Sequence, residues 1–325
     1  MKIAVFGAGA IGSYLGASLI KGGADVTLIA RGSHLKAIQD NGLTLITPEE
    51  KIHVRARATD DPRGVGKQDC VFVTLKAYGF PGAADDIAAL MGPETILVPA
   101  MNGVPYWYFH RLDPAGAERR IESVDPGGVL WRSFDPARAI GSVVYSWAEV
   151  ISPGTVKMST SNRFIMGEPD GTTSPRILAL ASIMRQGGLD APVSSDIRAD
   201  LWGKLWGNLS MNPLSALTGA TIDRLCAQPG LRATARAMME EARPVAESLG
   251  VRFPMDVEKR IDIAARAGAS KTSMLQDLER GRPLEIDALL GAVVELSELT
   301  GHAMPLCRAI LALVRERAHS AGLLA

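Results

Sequence analysis

MKIAVFGAGAIGSYLGASLIKGGADVTLIAR, residues Met1–Arg31, holds three patterns in succession. Lys2 to Phe6 form a short apolar run that ends in glycines. Ile11, Leu15 and Leu19 then recur at helical spacing until a glycine pair stops the helix, and Asp25 to Arg31, rich in β-branched residues, reads as a second strand. The sum is a βαβ unit. Its first turn, GAGAIG, matches G-x-G-x-x-G directly after a strand and at the opening of a helix. There the glycines allow a tight turn, close approach of a pyrophosphate and helix–strand packing, with the phosphate at the positive helix end. The bare pattern is weak, and a structural glycine turn would share it. Its place in a complete βαβ unit favours a dinucleotide site at Gly7, Ala8, Gly9, Ala10, Ile11 and Gly12.

About twenty residues past the glycines, an NAD-specific site usually carries an acidic side chain for the ribose hydroxyls. Here the residue is Arg31. A guanidinium suits a 2′-phosphate, so NADPH/NADP+ is favoured, although a solvated surface arginine would look the same. Lys76 in VFVTLKAY and Asn102 in LVPAMNGV end two further apolar runs. Strand carboxyl ends line the ligand crevice of an open α/β sheet, which points both residues at the cofactor; each alone could be an ordinary strand-end polar group.

Beyond the opening unit, strands are expected at CVFVTLKA, TILVPAMNG and AIGSVVYSWAEV, with helices near His34 to Asn41 and Gly82 to Met91. Runs buried on both faces suggest a parallel sheet covered by helices. GTVKMSTSNRFIMGE (Gly154 to Glu168) reads as an antiparallel hairpin or meander at the sheet's end, and PDGTTSP as a turn-forming stretch. From Arg176 onward the periodicity is helical, notably over Leu231 to Leu249, Val257 to Ala267 and Glu285 to Thr300. The fold class is therefore an α/β N-terminal Rossmann-type domain, residues 1–173, followed by an all-α C-terminal domain, residues 174–325. A chain of 325 residues suits two domains of about 150 residues each.

Lys plus Arg and Asp plus Glu both number 35, so no overall field favours nucleic acid or an anionic membrane, and a small molecule is the expected partner. Cys70, Cys226 and Cys307 are scattered, without metal-ligand spacing, and read as buried thiols of a reducing compartment. The opening apolar run is too short for a membrane span and lacks signal-peptide flanks; a cytoplasmic location is expected. His34, His53, His110, His302 and His319 show no ligand spacing either, so no metal is expected and each reads as a surface or packing residue. YWYFH (Tyr106 to His110) reads as core or cleft wall rather than a base-stacking platform, since no basic surplus surrounds it.

KLWGNLSMN, Lys204 to Asn212, places Lys204, Asn208 and Asn212 at i, i+4 and i+8 of an otherwise apolar helix. That spacing makes one narrow stripe. Leu201, Trp202, Leu205, Trp206 and Leu209 cover the remaining circumference, so the stripe is expected to line an internal cleft. A buried ammonium and buried amides are costly unless something polar faces them, and interhelical hydrogen bonding is the alternative to a ligand. Ser194 or Ser195 could cap the helix, and Pro213 is expected to kink or end it.

Together GAGAIG, Arg31, TLKAY, MNGV, KLWGNLSMNPLSAL and SMLQDLERGRPLEID (Ser273 to Asp287) resemble the ketopantoate reductase family. The resemblance covers nearly the whole chain. It implies a helical domain like the C-terminal domain of 6-phosphogluconate dehydrogenase and NADPH-dependent reduction of 2-dehydropantoate to (R)-pantoate, in pantothenate and coenzyme A biosynthesis. By the same resemblance Lys204 is the general acid, Asn208 and Asn212 hold the substrate's polar groups, and Ser273 its carboxylate end. Glu285 contacts the cofactor near the nicotinamide ribose and influences Lys204, while Lys76 and Asn102 contact NADPH and Arg31 its 2′-phosphate. Read without the family, Glu285 is an ordinary helical carboxylate and Ser273 a helix cap.

Three features depart from the family pattern. The polar segment RLDPAGAERRIESVDPGGVLWRSFDPAR is long, a cover for the cleft or an interface; TIDRL lacks an asparagine that some members use; and Trp147 stands near the nicotinamide where smaller residues are usual. These bear on the substrate more than on the reaction. Another 2-oxo acid on the same scaffold, or a protein that senses NADPH without catalysis, are the alternatives; the second should have lost the proton donor, and Lys204 is present. The sequence does not fix the oligomeric state, and a homodimer through the helical domain is compatible with it.

Overall fold

In the computed structural model, residues 1–112 and 119–324 are described, and they fall into two compact units. The first is the described part of Met1–Met101, Tyr106–Glu118 and Gly128–Ile197; the second is that of Asn102–Pro105, Arg119–Gly127 and Arg198–Ala325.

The first unit opens with β1 (Lys2–Phe6), α1 (Ala10–Lys21), β2 (Asp25–Ile29) and α2 (Gly32–Asn41). It continues through β3 (Leu43–Ile46), β4 (Lys51–Val54), β5 (Arg57–Thr59), β6 (Gln68–Val73), α3 (Ala84–Leu90) and β7 (Met91–Pro99). After a short α4 (Val129–Ser133) come β8 (Gly141–Ser152), β9 (Thr155–Gly167) and α5 (Pro175–Gln186). One sheet is entirely parallel, in the order β5-β2-β1-β6-β7. Strand order reverses between β1 and β6, which opens a crevice at their carboxyl ends, where the glycine loop and Lys76 emerge. Ile3, Val5, Leu28, Phe72 and Val98 are at most 0% exposed in this sheet, as expected of strands covered on both faces.

AIGSVVYSWAEV does not extend that sheet. It forms β8 of a second sheet, β4-β3-β9-β8, where it pairs antiparallel with β9, so Gly154 to Glu168 supplies one long strand of that pair and not a hairpin of its own. Its first four residues are buried and its last three exposed, so the apolar run covers only half of a strand that continues into solvent. Periodicity cannot separate such a strand from a fully buried one. Strands β3, β4 and β5 also lie where no strand is expected from sequence. They are only three or four residues long; β4 and β5 are half-exposed, and Lys51 and His53 interrupt any apolar pattern in β4.

The second unit is helical: α6 (Ile197–Thr218), α7 (Ile222–Ala227), α8 (Pro229–Ser248), α9 (Val257–Ala265), α10 (Ser273–Glu279), α11 (Ala292–Thr300) and α12 (Pro305–Ser320), the first beginning one residue before the unit. Helix α6 does not end at Pro213 but runs through it to Thr218. A proline inside a helix costs about 3 kcal/mol, and each fully buried Leu or Met returns about 1.5–3 kcal/mol. Leu209, Met211 and Leu214 around Pro213 are all below 5% exposed, so packing outweighs the lost amide donor. Before α11 the chain makes a π-helical turn at Asp287–Gly291 instead of the continuous α-helix expected from Glu285.

Tyr106, Trp107, Tyr108 and Phe109 are buried, as the core reading of YWYFH expects, and so are the three cysteines. Residues 113–118 of the long polar segment lie outside the described residues. Downstream, the Glu295 carboxylate on α11 accepts the Glu122 and Ser123 N–H groups at 2.7 and 2.8 Å, which ties residues 119–127 to the helical unit. Among the described residues no helix is long and apolar enough to cross a membrane.

Candidate active site

In the first unit the carboxyl ends of β1, β2 and β6 open into a cleft of about 610 Å³. Gly7, Ala8, Gly9, Arg31 and Lys76 line it. The Gly7 and Ala8 N–H groups donate to the Ile29 carbonyl at 3.1 and 2.8 Å, and Thr74 Oγ1 donates to the Gly7 carbonyl at 2.8 Å. Ala10, Ile11 and Gly12 form the first turn of α1, below the loop.

Two of these glycines are needed for different reasons. A Cβ at Gly12 would overlap Thr74 Oγ1 and the Gly7 carbonyl, so the fold itself forbids a side chain there. A Cβ at Gly9 would meet only the Gly7 carbonyl oxygen, at 3.9 Å, which is ordinary contact. Among the described residues no contact requires the bare backbone at Gly9, whereas a ligand lying against the helix amino end would. The residues present therefore fit a dinucleotide.

Arg31 is exposed at the N-cap of α2, and Lys76 is half-buried three residues past β6. Asp60 and Asp86 also line the cleft; Asp86 is held by Arg63 at 3.3 Å. Sequence reasoning missed His34, Tyr78 and Val150 in the same lining. His34 had a signal in its three-residue spacing from Arg31 on one helix face. Val150 had none, because only the β8–β9 hairpin brings it there.

The second unit contains the other group. Trp202, Leu205, Trp206 and Leu209 are all at most 2% exposed and fix the roll of α6. Trp206 stacks on Phe253 with ring centroids 4.0 Å apart and donates its Nε1–H to the Met239 carbonyl at 2.7 Å. Arg260 donates to the Gly203 carbonyl at 3.1 Å along a face kept free of side chains by Gly203 and Gly207. Held in this way, α6 leaves Lys204 and Asn208 half-buried and Asn212 5% exposed on the expected stripe. Ser194 Oγ accepts the Asp196 N–H at 3.0 Å in the turn that precedes the helix.

Lys204 Nζ donates to Asn102 Oδ1 at 2.7 Å. Burial pushes its pKa down from the ordinary lysine value to about 8, against the opposing influence of the Glu285 carboxylate. Asn102 is brought there by its own loop. Gly103, at φ +98°, lies so close to the Ala288 carbonyl that a Cβ would overlap it, and the Val104 N–H donates to that carbonyl at 3.0 Å. Ala288 belongs to the π-helical turn that directly follows Ile286, and Glu285 is 6% exposed just before it. One irregular turn thus anchors the loop carrying Asn102 and adjoins the carboxylate that acts on Lys204, an arrangement frequent at functional sites.

Ser273 is exposed and is the first residue of α10; the cap is Thr272, whose Oγ1 accepts the Leu275 N–H at 3.2 Å. The Ser273 hydroxyl is therefore not used as the cap. TIDRL forms the start of α7, where the Thr221 hydroxyl bonds the Asp223 carboxylate. Trp147 occupies the irregularity between Ser146 and Ala148 in the β8–β9 ladder and is 41% exposed.

Residues 3–171 match the family model described as ketopantoate reductase PanE/ApbA, and residues 196–318 match its C-terminal model. A 2-dehydropantoate 2-reductase of Mesorhizobium japonicum is 51% identical over 323 residues, which is 99% of each chain. The crystal structure of a PanE/ApbA family ketopantoate reductase from Ralstonia eutropha JMP134 superposes with a TM-score of 0.85 at 31% identity, covering 99% of this chain and 100% of that one. A ternary structure of D-mandelate dehydrogenase with NADH and anilino(oxo)acetate superposes with a TM-score of 0.84 over 99% of this chain and 100% of that one, at 22% identity. That last likeness is one of fold.

Proposed function

Since the chain belongs to the ketopantoate reductase family, we propose that it catalyses the NADPH-dependent reduction of 2-dehydropantoate to (R)-pantoate. One observation carries the reading: a half-buried ammonium, Lys204, with its pKa brought to about 8 and its direction set by Asn102. Gly7, Ala8, Gly9, Ala10, Ile11 and Gly12 would hold the pyrophosphate, Arg31 the 2′-phosphate, and Lys76, Asn102 and Glu285 the remainder of the cofactor. When bound, the reduced nicotinamide supplies the hydride for the substrate's carbonyl carbon.

Negative charge then builds on the carbonyl oxygen. Lys204 stabilises that charge and gives its Nζ proton to that oxygen. Asn102 Oδ1 aims the ammonium before substrate arrives, which limits reorganisation during the reaction. The Asn208 and Asn212 amides bind the substrate's hydroxyl and carbonyl groups from the next two turns of α6, and Ser273 takes its carboxylate. A lysine with a pKa of about 8 also regains its proton from water at neutral pH, ready for the next turnover.

The sign of the pH dependence follows. The protonated amine is the active form, so kcat should be level below about pH 8 and fall about tenfold per pH unit above it. The Glu285 carboxylate raises the Lys204 pKa, so Glu285→Gln should move this limb to lower pH. Steady-state kcat between pH 6 and pH 10 checks both, and a profile that stays flat to pH 10 removes Lys204 as the acid.

Arg31→Ala should lower the ratio of kcat/KM for NADPH over NADH by about tenfold, the scale of one charge-assisted contact to phosphate. A wild-type preference for NADH would sink the 2′-phosphate assignment. Trp147 favours a second reading, in which the same chemistry acts on another 2-oxo acid. An indole exposed at a strand irregularity is a large apolar surface that can reshape a substrate wall. Kinetics on a panel of 2-oxo acids separate the two, and absence of activity on 2-dehydropantoate would leave only the second.

A further inference from the structure

His34 stands in the first turn of α2, three residues after Arg31, half-buried in the wall of the dinucleotide cleft. Both of its ring nitrogens are engaged. The Gly154 N–H, at the turn between β8 and β9, donates to Nδ1 at 3.0 Å. Nδ1 is thus the acceptor, and the proton of the neutral ring sits on Nε2. Nε2 lies 3.0 Å from Ser13 Oγ, and Ser13 Oγ donates to the Ala8 carbonyl at 3.1 Å. A hydroxyl has one proton to give, so the bond between His34 and Ser13 runs from Nε2–H to Oγ.

The result is one directed chain from Gly154 through His34 and Ser13 to Ala8, with every donor matched to an acceptor. Burial holds the imidazole pKa below its ordinary value, which favours the neutral ring this chain requires. One end is anchored outside the cleft, since the Gly154 carbonyl accepts the Thr44 N–H of β3 at 2.9 Å. The other end is the middle of the glycine loop. Ser13 is 0% exposed, so its hydroxyl has no water to replace a lost partner.

We propose that His34 is a positioning residue of the dinucleotide site. Through Ser13 it fixes the Ala8 peptide and so the direction of the loop's N–H groups; through Gly154 it seats the start of α2, which carries Arg31. The ring nitrogens are both committed to protein partners, so the hydrogen bonds of His34 reach the cofactor through the loop and not directly. This rests on the reading of the glycine loop and Arg31 as an NADPH site.

NADPH affinity of the full chain, measured by isothermal titration calorimetry, tests it alongside kcat and KM. His34→Leu removes both ring bonds and is expected to weaken NADPH binding about tenfold, while kcat at saturating NADPH stays within about twofold. Ser13→Ala should weaken binding similarly and add little in the His34→Leu background, because the chain is already broken. His34→Gln, whose amide N–H can reach Ser13, should recover most of the affinity. Wild-type affinity in His34→Leu, full additivity with Ser13→Ala, or a kcat that falls in step with affinity would each overturn the proposal. If His34→Leu does not fold, wild-type affinity in Ser13→Ala overturns it equally. A wild-type chain that fails to bind NADPH removes the cofactor reading itself, whereas a wild type that binds and variants that bind as well remove only the role of His34.

Discussion

Lys204→Ala is expected to lower kcat at least about a hundredfold, within the range for loss of a general acid, while NADPH affinity stays within about threefold. The reason lies in where its charge is held. The ammonium donates to Asn102 Oδ1 at 2.7 Å, and burial has brought its pKa to about 8, so the group is both aimed and acidic enough to give up a proton near neutral pH. The glycine loop and Arg31 are untouched by the substitution, so cofactor binding should survive. Lys204→Arg should not restore the rate: a guanidinium keeps the charge but does not release a proton in this pH range. Single-turnover rates at saturating NADPH make the comparison. A Lys204→Ala enzyme with wild-type kcat would end the assignment, and a Lys204→Arg enzyme as fast as wild type would reduce Lys204 to electrostatic support.

Gly9→Ala is expected to raise the NADPH dissociation constant at least about tenfold with the melting temperature nearly unchanged. Among the described residues the methyl group meets only the Gly7 carbonyl oxygen, at 3.9 Å, so the protein accommodates it, and the space it takes is the one proposed for the pyrophosphate. Gly12→Ala should behave differently. There the methyl group overlaps Thr74 Oγ1 and the Gly7 carbonyl, so both stability and binding should fall. Calorimetry of binding and of unfolding on the two variants separates a ligand requirement from a packing requirement. A Gly9→Ala protein that binds NADPH as tightly as wild type would mean that the cofactor does not approach the backbone there.

Much of this is legible in the sequence. The βαβ unit follows from three contiguous patterns, and β1, α1 and β2 fall where those patterns place them. The stripe of Lys204, Asn208 and Asn212 follows from helical spacing alone, and α6 carries it. Gly154 to Glu168 does not fold back on itself as a hairpin: Thr155–Gly167 is the single strand β9, paired with β8 in a sheet separate from the parallel one, since an apolar run does not say which neighbour will cover it. The π-helical turn had no signal, because Glu285 to Thr300 has the periodicity of an ordinary helix and only the docking of Gly103 and Val104 on Ala288 reveals the irregularity.

By itself the sequence determined what depends on neighbours within a few turns or a strand's length: the glycine loop at a helix start, the basic residue after β2, and the aligned polar residues on an apolar helix. The tertiary structure alone decided the pairings across long separations. Asn102 meets Lys204 from 102 residues away, and Gly154 meets His34 from 120. Backbone geometry transmits order over short range, so local periodicity is written in the chain. Which distant donor meets which acceptor is settled only when burial makes an unpaired polar group costly enough to select one arrangement.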